Sequence, residues 1–273
     1  MRSKLHRILA FAGLALSLSM MFVPALTNAQ DRASRPEEIE WTWEVRPAHV
    51  DSKLPNVLLV GDSITRNYYP EVQRQLNQVA NVYLMATSAS VGDPRLPRQL
   101  AEFSAAESVS FKVVHFNNGM HGWNYSEVDY QAAFPSFLAA LHAMAPGASF
   151  IWATTTPVKI DAEPGPTNAR VDARNRIAQT FIKKAGILID DQHELMTHHS
   201  DQYQDKVHFN TEGAVIQGQQ AAQCIRSSFA SNNSRLSAIS EQNLFYGFNL
   251  DSIRISARAR SATGAGDEKN GGS

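Results

Sequence analysis

The chain has 273 residues, 43% of them hydrophobic and 19% charged, with 25 Lys and Arg against 26 Asp and Glu. This is ordinary globular composition with enough apolar material for one sizeable core. A near-neutral to acidic balance argues against nucleic acid or an anionic membrane as partner, and a single cysteine, Cys224, excludes an internal disulfide.

The first 29 residues have the three-part pattern of a secretory signal: basic Arg2, Lys4 and Arg7, an apolar run from Ile8 to Val23, and small residues at Thr27-Asn28-Ala29. Pro24 and Thr27-Asn28 end that run short of the roughly 20 residues a spanning helix needs, which favours a cleaved signal over the alternative of a lipid or helical membrane anchor. Removing residues 1–29 takes three basic residues and no acid, leaving 22 against 26 and a net charge of −4. An N-terminal extension follows over 30–50, polar but with Trp41, Trp43 and Val45 alternating as in an added strand. The main folded domain is placed over 51–229. Residues 230–273 form a polar tail rich in Ser, Asn, Arg and Gly, expected to be largely disordered and interrupted by Phe245-Tyr246-Gly247-Phe248.

Within 51–229, short apolar runs alternate with helical patterns. Strands are predicted at Asn56–Val60, Val82–Ala86, Lys112–Phe116, Phe150–Thr154 and Ile187–Asp190. Helices are predicted at Glu71–Asn77 with Pro70 near its start, at Arg95–Ser104, at 126–144 with Ser126 as cap, at Val171–Lys184 stopped by Gly186, and at Thr211–Phe229 capped by Thr211. The alternation predicts an α/β fold: a three-layer α/β/α sandwich on a five-stranded parallel sheet. Cys224 falls in the apolar pattern of the last helix with Ala221, Ala222 and Ile225, as a small buried group.

Gly61-Asp62-Ser63-Ile64-Thr65 follows the first strand directly, so Ser63 stands on a strand-to-helix turn at the carboxyl edge of the sheet. A serine hydroxyl needs a base to remove its proton as it attacks. His208 can accept and return that proton near neutral pH, and Asp205, three residues earlier, can hold the other ring nitrogen. Thr65 stands where the G-x-S-x-G elbow has its last glycine, which argues against the α/β-hydrolase fold.

These blocks resemble the SGNH (GDSL-type) hydrolase superfamily. Gly61-Asp62-Ser63-Ile64 is similar to its first block and Asp205-Lys206-Val207-His208 to its last. The resemblance implies a flavodoxin-like SGNH fold, a Ser63-His208-Asp205 triad, and an oxyanion hole of the Ser63 amide, the Gly92 amide and the Asn118 side chain. The middle blocks depart from the family pattern. Phe116-Asn117-Asn118-Gly119 replaces G-x-N-D, so Asn117 is the alternate donor, and the Ser90 amide could serve in place of Gly92.

Asp62, His121, Trp123 and Tyr125 are placed in the substrate cleft, Asp62 chiefly as a stabiliser of the elbow; the aromatic rings would either stack on a sugar or cover the core. Trp152 and Thr154-Thr155-Thr156-Pro157 end the fourth strand on the same edge. His115 is expected to be a satisfied core histidine. His193-Glu194-Leu195-Met196-Thr197-His198 has one residue too many for the H-E-x-x-H zinc motif, which puts its histidines on different helix faces. No metal and no cofactor is implied. The expectation is an exported serine esterase that removes acetyl or short acyl groups from a carbohydrate or small-molecule ester, with no nucleic-acid partner and no membrane partner after signal cleavage. A lipase or lysophospholipase, or a non-catalytic carbohydrate-binding domain of the same fold, is the alternative.

Overall fold

The apolar run Asn56–Gly61 alternates between two cores, and this sets the layering of the molecule. Leu58 and Val60 join one buried cluster, while Val57 and Leu59 join another on the opposite face. In the computed structural model, which describes residues 33–230, strands β1 (Thr42–Val45), β2 (Asn56–Gly61), β3 (Asn81–Thr87), β4 (Val113–Phe116), β5 (Ser149–Ala153) and β6 (Leu188–Asp190) form one sheet in the order β1-β3-β2-β4-β5-β6. The expectations for the signal segment, the tail and Phe245–Phe248 fall outside the described residues.

Helices α2 (Arg95–Glu107) and α3 (Glu127–Met144) pack on one face through Leu96, Leu100, Phe103, Tyr130, Phe134 and Phe137. α4 (Asn168–Ala185) adds Ala178 and Ile182 to that core. α1 (Ser63–Gln75) and α6 (211–230) cover the other face through Ile64, Tyr68, Val72, Ala221 and Ile225. A short helix, α5 (Gln192–Thr197), follows β6. The result is the predicted three-layer sandwich. Among the described residues no helix is long and apolar enough to cross a membrane.

The five predicted strands all form and pair in parallel. The sixth, β1, pairs antiparallel with β3 in the register Trp43↔Ala86, so the 30–50 extension is partly built into the sheet. Two helix starts differ from expectation. α1 begins at Ser63, not near Pro70, because the Asp62 carboxylate caps it by accepting from the Ile64 amide at 2.9 Å. α6 is capped by Asn210, whose Oδ1 accepts from the Gly213 amide, and Thr211 falls inside the first turn. The Ser126 cap forms as a reciprocal capping box with Asp129. Cys224 is only partly buried, and its thiol is pushed up to about 12, first by desolvation and then by Asp190.

β2 and β4 are neighbours from which the chain departs in opposite directions, to β3 on one side and to β5 on the other. In open α/β sheets the crevice at the carboxyl ends of two such strands is the usual place for a ligand. Ser63 follows β2 there, and Asn117-Asn118 follow β4.

Candidate active site

Ser63 occupies the first turn of α1, where its amide has no intrahelical acceptor and lies at the positive end of the helix. The approach from β2 is tight: a Cβ on Gly61 would lie 2.0 Å from Thr65 Oγ1, so only glycine lets the strand end this close to the helix. Thr65 is buried beneath it and accepts a hydrogen bond from the Tyr68 hydroxyl.

Ser63 Oγ lies 2.7 Å from His208 Nε2, and His208 Nδ1 lies 2.9 Å from Asp205 Oδ2. The other Asp205 oxygen accepts from the His208 and Val207 amides. Desolvation works against the Asp205 charge, but these backbone bonds and His208 outweigh it and hold the carboxyl below the usual carboxylate range. An ionised Asp205 fixes Nδ1–H as its donor and leaves Nε2 free to accept the serine proton. The loop is anchored further. Asn67, one turn along α1 from Ser63, donates to the Phe209 carbonyl, and Tyr203 stacks on Phe209 at 4.4 Å.

Facing Ser63 is the loop after β4, where two adjacent asparagines point different ways. Asn117 spends both Nδ2 hydrogens, on the Ala153 carbonyl at 2.7 Å and on Thr155 Oγ1 at 3.1 Å. Asn118 spends one, on the Ala89 carbonyl at 2.8 Å. That bond ties it to the loop after β3, which carries Ser90 and Gly92. A trans peptide sets C=O and N–H on opposite sides, so the Ala89 carbonyl facing Asn118 turns the Ser90 amide away from it. Gly92 is buried against Tyr125: a Cβ there would lie 2.7 Å from the ring.

Together, a hydroxyl with a base, the base with an orienting carboxylate, and amide donors across from them can carry out nucleophilic acyl transfer. The profile of the GDSL-like lipase/acylhydrolase family matches residues 59–216, from within β2 into α6. The chain belongs to that family. A GDSL-like lipase from Bacteroides thetaiotaomicron has the same fold, at 16% identity and a TM-score of 0.51, covering 66% of this chain and 92% of that one. A candidate acylhydrolase from Bacteroides fragilis aligns at 15% identity with a TM-score of 0.51, covering 67% and 91%. A search of curated proteins gave no match.

Two cleft assignments in this GDSL-family chain, Tyr125 and Asp62, need correction. Tyr125 is a core residue, 4% exposed, whose hydroxyl accepts from the Arg35 amide while the Arg35 guanidinium covers its ring. Trp123 carries the Arg174 and Arg170 guanidinium groups against its ring, at 4.0 and 4.9 Å. Asp62 is 1% exposed and acts as the α1 cap, not as a cleft wall. His121 remains partly exposed and pairs through Nδ1 with Glu37 Oε2 at 2.9 Å.

His115 is fully buried, with Nε2 2.8 Å from Asp190. Among the described residues no group of three or more His, Cys, Asp or Glu could hold a metal; His193 lies 3.2 Å from Asp172, and His198 pairs with Glu194.

Sequence reasoning missed Arg174. It is 1% exposed, and its two terminal nitrogens donate to the carbonyls of Gly119, His121, Gly122 and Tyr125. It thereby holds the whole loop after Asn118. Burial is the main force on its guanidinium, pulling it down to about 10. A signal existed: Val171, Arg174, Ala178 and Ile182 form the buried stripe of α4, and an arginine on such a stripe needs buried acceptors. Glu37 was missed as well, because it lies outside both the strand pattern and the family blocks.

Proposed function

We propose that this protein is an exported serine esterase that removes acetyl or another short acyl group from a carbohydrate. The observation that carries the chemistry is the 2.7 Å contact of Ser63 Oγ with His208 Nε2, with Asp205 on the opposite ring nitrogen. His208 takes the Ser63 proton as Oγ attacks the ester carbonyl carbon. The Ser63 and Gly92 amides and the Asn118 side chain stabilise the oxyanion. The tetrahedral intermediate collapses, the C–O bond to the alcohol breaks, and His208 gives its proton to the leaving alcohol. Water, deprotonated by His208, then attacks the acyl-enzyme and releases the carboxylic acid and free Ser63.

The sugar assignment is supported by the rim beside α1. Trp43 is 52% exposed, with the Arg66 guanidinium 5.0 Å from its ring and one turn from Ser63. An exposed indole of this kind suits the apolar face of a pyranose ring. Export is supported by the pattern of residues 1–29.

Hydrolysis of p-nitrophenyl acetate should disappear in Ser63→Ala; retention of full activity would mean that the nucleophile lies elsewhere. Across an acyl-length series, activity should fall beyond short chains. A rise with chain length would favour a lipase and sink the deacetylase reading. Acetate release from acetylated polysaccharides then identifies the sugar.

A further inference from the structure

The segment from Ser34 to Trp41 precedes the residues matched by the family profile, yet it is bound to both loops that carry the candidate oxyanion donors. On the loop after β4, Glu37 Oε1 accepts from the Gly122 amide at 2.8 Å and Oε2 pairs with His121 Nδ1. On the loop after β3, Glu40 Oε2 accepts from Ser88 Oγ at 2.6 Å, and Oε1 accepts from Arg95 Nη2 at 2.7 Å. Arg95 also grips Asp93, which accepts from Ser34 Oγ. The two glutamates are themselves joined, since the Glu37 amide donates to Glu40 Oε1 at 2.6 Å.

The two loops meet where Glu37 holds them. Gly122 has φ +70, and a Cβ there would lie 2.0 Å from Ser90 Oγ. A small shift of Gly122 is therefore transmitted directly to Ser90, between Ala89 and Gly92. We propose that Glu37 and Glu40 are positioning residues for the oxyanion hole, fixing the 118–122 and 88–93 loops so that the Asn118 amide and the Gly92 N–H converge on one oxygen. The proposal rests on the esterase reading of Ser63, Gly92 and Asn118 given above.

Charge adds to the geometry. Burial opposes a proton on His121, but the hydrogen bond to Glu37 and the fields of Asp62, Glu37 and Glu40 raise its pKa. Glu37 is held low by the same pairing against its own desolvation, with the Gly122 amide and Arg174 contributing. The ionised Glu37 carboxylate makes its bonds to His121 and the Gly122 amide charge-assisted and stronger than neutral ones.

The test is kinetic, on the full chain with p-nitrophenyl acetate. Glu37→Ala should lower kcat by about 10- to 100-fold, as expected for misplaced catalytic donors, with KM changed by less than about 3-fold. It should weaken a tetrahedral boronate inhibitor by a similar factor, because that ligand loads the oxyanion hole. Glu37→Gln keeps an acceptor for the Gly122 amide and should recover most of the rate. Glu40→Ala should show the same split of kcat from KM.

A folded Glu37→Ala with unchanged kcat and boronate affinity, or a loss confined to KM, overturns the proposal. If Glu37→Ala does not fold, Glu37→Asp, one methylene too short to reach both partners, carries the same expectation and the same refutation. Ser63→Ala runs alongside: an inactive Ser63→Ala with a fully active Glu37→Ala rejects the positioning role alone, whereas an active Ser63→Ala rejects the esterase reading beneath it.

Discussion

The two walls of the cleft are built in different ways. In the His208 wall the catalytic pair is local: acid and base are three residues apart and the turn closes through the Asp205 contacts and the Gln204 amide to the His208 carbonyl, while Asn67 and Tyr203 anchor the flanking chain to the Phe209 and Pro157 carbonyls. The Asn118 wall is held from a distance. Arg174 reaches it from α4, Glu37 from the N-terminal segment and Ala89 from the loop after β3. A local pair can be moved or lost with little effect on the rest of the molecule. The opposite wall is tied to three elements, so its geometry depends on much of the fold.

Breaking the local wall should cost activity and little else. His208→Ala should lower kcat/KM by about 10,000-fold or more while leaving thermal unfolding nearly unchanged, because His208 and Asp205 are substantially exposed. A large drop in Tm would show that this wall is not independent. On the distant wall, Arg174→Met should destabilise the protein by at least about 2 kcal/mol in urea unfolding, since the Gly119 and His121 carbonyls lose their donor while those of Gly122 and Tyr125 keep the Tyr125 amide and Arg170. A change under 1 kcal/mol would show that the loop stands without it.

The contrast sharpens between the two asparagines. Asn118→Ala should lower kcat by about 100- to 1000-fold, the usual cost of one oxyanion donor. Asn117→Ala removes buried bonds to Ala153 and Thr155 and should cost stability, about 1–3 kcal/mol, more than rate. The reverse pattern would exchange their roles.

The smallest effect is expected from acid. Asp190 is fully buried; desolvation opposes its charge, but His115, Gln192 and Gln220 hold its pKa below the usual value. A depressed carboxylate contributes stability above its unfolded pKa and loses it as pH falls through the folded one. Unfolding free energy measured from pH 6 downward should therefore begin to decline near pH 4, and Asp190→Asn should flatten part of that decline. An unaltered slope in Asp190→Asn would remove Asp190 from the account.

What could be read from the sequence follows the same division. Gly61-Asp62-Ser63 and Asp205-x-x-His208 are legible because each is a short block whose chemistry is complete within a few residues. The strands are legible because each is an apolar run bounded by turns. The oxyanion side was ambiguous because adjacent residues on an extended backbone point to opposite sides, so the choice between Asn117 and Asn118 depends on Ala153, Thr155 and Ala89. The aromatic residues after Asn118 suggested a binding surface, but Arg35 and Arg174 lie against Tyr125 and Trp123, and neither arginine is near them in sequence. Glu37 and Glu40 sit in a stretch that looked like a polar extension, and their partners lie at 88–95 and 121–122.

β1 carries a further consequence. It covers the outer edge of β3, a strand of sequence Asn-Val-Tyr-Leu-Met-Ala-Thr that is buried along its whole length and carries no charge. A chain begun at Asp51, with β2 to α6 intact, would lose β1 and leave that edge unpaired. Uncharged, apolar open edges recruit strands from other molecules. The N-terminal segment therefore also guards solubility, and a shortened protein should self-associate through β3 even where its triad is intact.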